Sequence, residues 1–414
     1  MKKILAIGSL VFLTTVASAE ELTWDVCVAE ASRGNADLSV ARSNLDAARF
    51  QKRAAFSPFL PQVAGELAIS RGNTGANGVT QNDYSIGATG RQNLFSGFQD
   101  RAKFDQAAGN EELLGASYDL ARAKASSDLK SAFAGLRYAQ DSIVLTDQIA
   151  KRREGNLSLV ELRFEGGREN KGSYFLSKAA LHQSRFESLQ AKNAVEVTRQ
   201  QLARILGRNE ADELAASGTV PLTEPGEPPV FGRLVPLTPA HRQVEAQEKI
   251  SQAALALARS QFYPSLDASG SYGKGGSEWF PDTTRWSLGL TLSVPLFSGG
   301  KDYYTAKAAS ASLAAAFSNR ENIDRQVLTS LKQAYTAYVE AAEKVKVDQE
   351  FLDASTVRAE IARHKYNNGL LSFEDWDIIE NDLIARQKAF LQTRRDRVSA
   401  EAAWEQAQGK GVIR

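Results

Sequence analysis

Two long stretches without proline constrain the fold of this chain more than any other feature. The first runs from about Gln99 to Phe164 and contains only four glycines. At 1.5 Å per residue, one continuous helix of this length is a rod of roughly 100 Å. Such a rod cannot be the core helix of a compact domain, because it needs packing partners along its whole length. Alanines at its seam, such as Ala121 and Ala125, allow neighbouring helices to approach closely.

The second stretch belongs to a second copy of the same unit. Three motifs return in the same order, 202 or 206 residues later: residues 56–60 at 262–266, residues 94–97 at 296–299, and residues 163–167 at 365–369. The apolar seam of the first long helix also recurs, since Leu129 and Leu136 have Leu331 and Tyr338 as counterparts. An internal duplication that preserves buried contacts is therefore predicted.

Each half is predicted to contain a helix, two strands, a long helix, a short turn and a further helix. The fold class is mainly α with a small β part, built from long antiparallel coiled-coil helices and two β-hairpins. The helix that opens the first half is expected from Thr23 to Phe56, where a proline disfavours helical geometry. The predicted segments are a signal peptide 1–19; a first repeat 20–207 with hairpin 62–94, long helix 99–164 and helix 172–206; an irregular connector 208–238; and a second repeat 239–414 with hairpin 266–297, long helix 300–366 and helix 373–408.

The first residues have the pattern of a secretory signal. Lys2 and Lys3 precede an apolar run, and Ala17-Ser18-Ala19 supplies small residues for cleavage. A retained membrane anchor is the alternative, but the run is shorter than the roughly 20 residues that a spanning helix needs. No later stretch has 18 uninterrupted apolar residues, so a membrane crossing would require strands closed into a barrel.

The last predicted strand has the clearest period of two. Its apolar residues alternate with small or polar residues, as a transmembrane strand with a wet interior face requires. A half-buried strand of a water-soluble protein would give the same alternation. Glycine-rich loops at 72–78 and 273–284 resemble the outer loops of barrel hairpins and favour the first interpretation. The residues expected to face lipid are Trp286, Leu288, Leu290, Leu292 and Val294.

Two hairpins give one chain four strands, which would leave unpaired backbone edges in lipid. The chain must therefore oligomerise or stay out of the membrane. In a trimer, twelve strands would close a barrel, and the long helices would continue it as a helical tube.

These features resemble the outer-membrane efflux protein family, the TolC-like channels, over essentially the whole mature chain. The resemblance rests on the opening Leu22-Thr23-Trp24, the two proline-closed helices, the Leu-Phe-Ser-Gly strand exits and the two aromatic-x-x-Gly turns. It implies a homotrimer in outer-membrane lipid, located in the cell outer membrane and extending into the periplasm. It further implies a periplasmic adaptor (membrane fusion) protein and an inner-membrane pump or ABC exporter as partners.

The resemblance can be carried to individual residues at the two helical tips. Phe164 and Tyr366 match the tip aromatics, each three residues before a turn glycine. The alternative is that the glycines serve only to end their helices, and both roles are compatible. The residues expected to contact the adaptor are Gly167, Arg168, Glu169 and Asn170 in the first tip, and Gly369, Leu370, Leu371 and Ser372 in the second.

The resemblance also implies an acidic ring at the periplasmic entrance. Asp375 matches a family position whose carboxylates ring the narrow opening, and three copies would form a cation-binding constriction. The family's second acidic position is Ile378 here, although Asp377 is adjacent, so a second layer of the ring is in doubt. The alternative for Asp375 is an ordinary acid in the first turn of a helix.

Charge and composition argue against the other classes of function. Without Lys2 and Lys3, 48 basic and 49 acidic residues remain, so nothing indicates nucleic-acid binding. The single cysteine, Cys27, excludes an intrachain disulfide framework, and the three histidines lack metal-ligand spacing. No catalytic residue, cofactor site or metal site is predicted, and energy must come from a partner.

The sequence therefore predicts a passive outer-membrane exit duct of a tripartite efflux or type I secretion system, not an enzyme. The alternative from another class is a periplasmic coiled-coil scaffold without a barrel. That scaffold would not need Leu288, Leu290 and Leu292 on one face of a strand. A helical hydrolase would need a compact pocket, which rods of this length do not offer.

Overall fold

A computed structural model describes residues 20–73, 80–209 and 214–413. The predicted signal peptide and most of the first glycine-rich loop lie outside these residues. The elements in chain order are β1 Glu20–Leu22, α1 Trp24–Gly34, α2 Ala36–Ala54, a 3₁₀ turn Ser57–Phe59, β2 Gln62–Asn73, β3 Thr80–Phe95, α3 Gln99–Glu165, α4 Lys171–Leu206, β4 Leu214–Ala216, α5 Phe231–Leu234, a 3₁₀ turn Val235–Leu237, α6 Pro239–Ser260, β5 Ser265–Gly276, β6 Thr283–Ser293, α7 Lys301–Asn367 and α8 Phe373–Ala407.

Two helices of 67 residues each, α3 and α7, are the longest elements that the structure describes. Each turns back through a five-residue tip into a helix of about half its length, α4 or α8, and packs against it. Nearer the sheet, α3 packs against α2 and α6, and α6 packs against α7. No helix among the described residues is both long enough and apolar enough to span a membrane.

The four long strands form one antiparallel sheet in the order β2-β3-β5-β6. Strands β3 and β5 join the two hairpins, so β2 and β6 are the edges of the sheet. Each hairpin strand connects directly to a helix, since α3 begins four residues after β3 ends. The sheet and the helical rods are thus one continuous body within the chain.

The helix expected from Thr23 to Phe56 is in fact two helices, α1 and α2. The break is at Asn35, which has extended backbone geometry. Its side chain accepts a hydrogen bond from the Leu38 amide and donates one to the Ile205 carbonyl in α4. An asparagine in this position caps the second helix and ends the first, so the break is fixed by a contact 170 residues away.

The connector is more ordered than the irregular segment that was expected at 208–238. It contains β4, α5 and a 3₁₀ turn, and β4 pairs in parallel with β1 at the start of the chain. The segment after β4 is held by α7 and α8, because Tyr338 donates to the Thr223 carbonyl and the Thr223 amide donates to Glu401.

The largest apolar core lies where β1, β4, α1, α3, α4 and α8 meet. Leu129, Phe133 and Leu136 of α3 are almost fully buried there, and Trp24 packs edge-on against Phe133 at 5.6 Å. Ile413, near the end of the chain, closes the same core. The middle of the long helix is therefore stabilised by ordinary apolar burial rather than by helix propensity alone.

Candidate functional site

One face of the four-stranded sheet carries an apolar band that extends from edge to edge, although Arg71, Gln92 and Lys274 lie on the same face. In an antiparallel sheet, directly paired residues point to the same face, so the register identifies each face. The pairs Ile69↔Tyr84 and Tyr272↔Trp286 belong to this face in the two hairpins, and Ala88↔Tyr272 joins them. The other apolar members are Val63, Leu67, Ile86, Leu266, Ala268, Leu288, Leu290 and Leu292.

Most large side chains on this apolar face are exposed in the single chain. Leu288 is 81% exposed and Leu290 is 70% exposed. Contiguous apolar surface of this kind indicates contact with a partner or a membrane, not with water. Four of the five residues expected to face lipid lie on this face. Val294 does not lie in the strand, because β6 ends at Ser293 and Pro295 lacks the amide needed to continue the ladder.

The opposite face of the sheet is polar and carries ion pairs between strands. Arg91 lies 3.2 Å from Asp267, and Arg285 lies 3.6 Å from Asp83. The Ser271 hydroxyl of β5 lies 2.8 Å from the Ser287 hydroxyl of β6. The two faces thus have opposite chemistry, as expected for a wall between lipid and water.

Aromatic side chains lie at both ends of the sheet. Near the hairpin loops, Tyr84 packs edge-on against Trp279 at 5.4 Å. At the helical end, Phe98 packs against Phe95 and Tyr263, with ring centroids 5.3 and 5.6 Å away. Aromatic belts at the two borders of an apolar band are typical of membrane proteins.

The two helical tips have the same backbone construction. Gly167 and Gly369 have positive φ angles of 67° and 74°, which glycine adopts at low cost. In each tip the glycine amide and the next amide donate to carbonyls three and five residues earlier. This is the Schellman arrangement, so both glycines do end their helices. Asn170 and Ser372 then cap α4 and α8.

The predicted tip aromatics pack against other side chains of the tips and do not project into solvent. Tyr366 is fully buried and stacks on Trp376 at 4.2 Å, while Arg163 covers its other side at 4.3 Å. Its hydroxyl donates to Glu169 at 3.0 Å, which ties the second tip to the first. Burial, followed by this hydrogen bond, raises the pKa of Tyr366 to about 12. Phe164 stacks on Tyr174 at 5.6 Å.

The tip residues that were expected to contact an adaptor differ in exposure. Arg168, Asn170, Leu370 and Ser372 are exposed, and Leu370 is 74% exposed. Glu169 is half-buried by its bond to the second tip. The exposed members form an accessible surface at the end of the helices.

Asp375 and Asp377 have different environments. Asp375 is exposed and in the first turn of α8, where its amide donates to Ser372 and its carboxylate accepts from the same hydroxyl. Asp377 is 3.0 Å from Arg153 of α3, and Asn381 also contacts that guanidinium. The structure therefore pairs Asp377 within the chain and leaves Asp375 without an ion pair among the described residues.

A buried charge network that sequence reasoning missed joins α8 to both long helices. Glu380 is fully buried between Arg152 of α3, at 3.4 Å, and Arg363 of α7, at 2.7 Å. Burial lowers the pKa of Arg152 below its usual range. The sequence offered only the doublet Arg152-Arg153 as a signal, and an arginine pair on a helix usually faces solvent.

No group of three or more metal-ligating side chains is arranged to hold a metal ion in the part of the chain that the structure describes. The described site is a two-faced wall, continuous with rods that end in capped tips. The two faces of the sheet can separate an apolar environment from an aqueous one, and the exposed tips offer a surface at the far end of the helices.

The same architecture occurs in solved outer-membrane channels. The chain superposes on the Campylobacter jejuni CmeC outer membrane channel with a TM-score of 0.84, at 19% identity, over 94% of this chain and 85% of that one. Curated relatives include the fusaric acid resistance protein FusA of Burkholderia cepacia, 22% identical over 67% of this chain and 56% of that protein. Outer membrane protein OprJ of Pseudomonas aeruginosa is 22% identical over 55% of this chain and 49% of that protein. The matches thus span about half the length of these two relatives.

The family model described as "Outer membrane efflux protein" matches residues 28–208 and 238–410. The chain therefore belongs to the outer membrane efflux protein family and is a protein of the outer membrane.

Proposed function

We propose that this chain is one protomer of a homotrimeric exit duct, a passive conduit through the outer membrane and periplasm. The observation that supports it most is the four-stranded sheet with one apolar face, one polar face and open edges at β2 and β6. An open edge in lipid costs several kcal/mol for each unsatisfied backbone group. Three such sheets joined edge to edge form a closed barrel of twelve strands with its polar face inside.

The helices extend the proposed duct away from the membrane. Because α3 and α7 continue directly from the strands, three chains would place six long rods beneath one barrel. The repeated order of elements in the two halves supports an internal duplication, which makes the rods nearly equivalent around the tube. The chain supplies no energy in this scheme and is not an enzyme.

The tips are the proposed docking surface for a periplasmic adaptor, which in turn joins an inner-membrane pump or an ABC exporter. Arg168, Asn170, Leu370 and Ser372 are the exposed tip residues that we assign to this contact, with Gly167 and Gly369 setting the turns. Asp375, exposed and unpaired in its first helical turn, is the residue proposed to ring the entrance. Asp377 is the weaker candidate, because Arg153 already neutralises it.

The test is purification of the full chain from outer-membrane detergent extracts, with mass photometry and planar-bilayer conductance on the same preparation. The proposal predicts a particle of three protomers and discrete channel openings. A water-soluble species without conductance would contradict it and would support the periplasmic scaffold instead.

A further inference from the structure

The connector encloses a cavity of about 350 Å³ against α3 and α8, with Val345 of α7 also on its wall. We call it the connector cavity. Its floor is apolar, formed by Phe133, Val220 and Val398, all of which are buried. The volume is in the range of sites that hold small molecules.

Arginines surround this apolar floor. Arg137, Arg394, Arg395 and Arg397 line the cavity, against only two acids, Asp141 and Glu224. Arg137 is paired with Asp141, Arg395 with Asp396 and Arg397 with Glu224, so Arg394 leaves a surplus of one positive charge. A lining of this kind is complementary to a ligand with an apolar body and an anionic group.

Arg397 is the buried member of this set, with a side chain only 8% exposed. One terminal nitrogen donates to the Thr223 carbonyl and to Glu224. Its Nε is buried and has no hydrogen-bond partner among the described residues. Because this Nε is closed off from the cavity, a ligand meets Arg397 at the terminal nitrogens of its guanidinium.

Arg394 is the arginine of the lining that has no ion pair among the described residues. It lies three residues before Arg397 on α8, so the two side chains share one helix face, where like charges repel. Arg394 makes no ion pair among the described residues, and its guanidinium lies 6.0 Å from the Phe390 ring centre. An anion between these two arginines would remove the repulsion between them.

We infer that the connector cavity binds a small amphiphilic anion, such as an aromatic sulfonate or carboxylate. The ring or short chain lies on Phe133, Val220 and Val398, and the anionic group accepts from a terminal nitrogen of Arg397 and from Arg394. The occupant bridges the connector and α8, so it fastens a segment that lies between the two halves. This site is separate from the sheet and the tips, and it does not depend on the chain being a duct.

The experiment measures binding of naphthalene-2-sulfonate to the full chain in uncharged maltoside micelles, by equilibrium dialysis against protein-free micelles. The neutral analogue naphthalene-2-methanol is measured in parallel. We expect saturable binding of one sulfonate per protomer and at least ~10-fold weaker binding of the alcohol, because a charge-assisted hydrogen bond is lost.

Two variants and a control make the result specific. Arg394→Gln removes an exposed side chain without an ion pair, so the fold is retained, and the sulfonate affinity should fall about tenfold. Arg397→Gln should cause a larger loss. Arg325→Gln, on an exposed face of α7 outside the cavity, should change nothing. Absence of saturable binding, equal binding of the alcohol, or unchanged affinity in Arg394→Gln would each overturn the inference.

Discussion

Arg153 of α3 and Asp377 of α8 form an ion pair of 3.0 Å that joins the two tip hairpins of one chain. The guanidinium is almost completely buried, with 7% of its side chain exposed. The second-half hairpin is thus fastened to the first by a charge pair partly withdrawn from water. Removing one partner of such a buried pair destabilises the folded protein much more than removing one partner of a surface pair does.

Asp377→Asn is expected to lower the free energy of unfolding by about 2 kcal/mol, because the buried Arg153 guanidinium loses its carboxylate partner. Differential scanning calorimetry on the purified protein measures the change. Glu360→Gln is the control, since Glu360 is exposed and makes no ion pair among the described residues. Equal melting temperatures for the two variants would show that the pair contributes nothing.

Gly369→Ala should cost about 1 kcal/mol, because alanine is strained at a φ of 74°. Gly155→Ala is the matched control within α3, where an added methyl group meets nothing within 4 Å. There the same change should stabilise the helix by up to about 1 kcal/mol. Opposite shifts in melting temperature are expected, and a shift of the same sign in both variants would contradict the assignment of the tip turn.

Glu401 makes stability depend on pH. Its burial, the largest influence, raises the pKa of its carboxyl above the ordinary value of 4.5. The folded state therefore binds this proton more tightly than the unfolded state does. The stabilisation is complete below pH 4.5 and is lost as the pH rises through the folded pKa.

Glu401→Gln removes that titration while keeping the shape of the side chain. Its melting temperature relative to the unchanged protein should therefore rise as the pH increases above 4.5 and through the raised pKa of Glu401. A melting series by intrinsic tryptophan fluorescence measures the difference, with Glu360→Gln as a control that should give a flat line. A flat line for Glu401→Gln would show that Glu401 titrates alike in both states.

Local sequence patterns were sufficient for the long elements. The absence of proline and the heptad seam predicted a long helix 99–164, and the structure has Gln99–Glu165. The period of two predicted the hairpin strands, whose apolar face the register then extends over all four strands. The helical pattern depends on residues three or four positions apart, and the strand pattern depends on residues two positions apart. Both can therefore be read from the sequence alone.

Contacts between distant residues were not predictable in the same way. The break at Asn35 depends on Ile205, and the order in the connector depends on pairing of β4 with β1. Asp377 was expected at an entrance ring, but its partner Arg153 lies 224 residues earlier. Burial of Tyr366 depends on Trp376, which lies on α8 on the other side of the tip turn.

Asp375→Asn should weaken block of the channel by divalent cations in a planar bilayer, because the proposed ring would lose all three carboxylates. We expect the concentration for half-block to rise about tenfold or more, as for the loss of a charged ligand contact. Glu374→Gln changes the adjacent exposed acid and serves as the control. An unchanged block in Asp375→Asn would remove Asp375 from the constriction.

The central claim is that the apolar face of the sheet contacts lipid and the polar face lines a lumen. Leu290→Arg and Thr291→Arg place the same charge at adjacent positions of β6 on opposite faces. Arginine on a lipid face costs about 2–4 kcal/mol near the bilayer midplane and is tolerated in a lumen.

The most direct measurement is the yield of heat-resistant trimers from outer membranes, by gel electrophoresis of unheated and heated samples of both variants. We expect trimers for Thr291→Arg and few or none for Leu290→Arg. Normal trimers in Leu290→Arg would contradict a lipid-facing sheet.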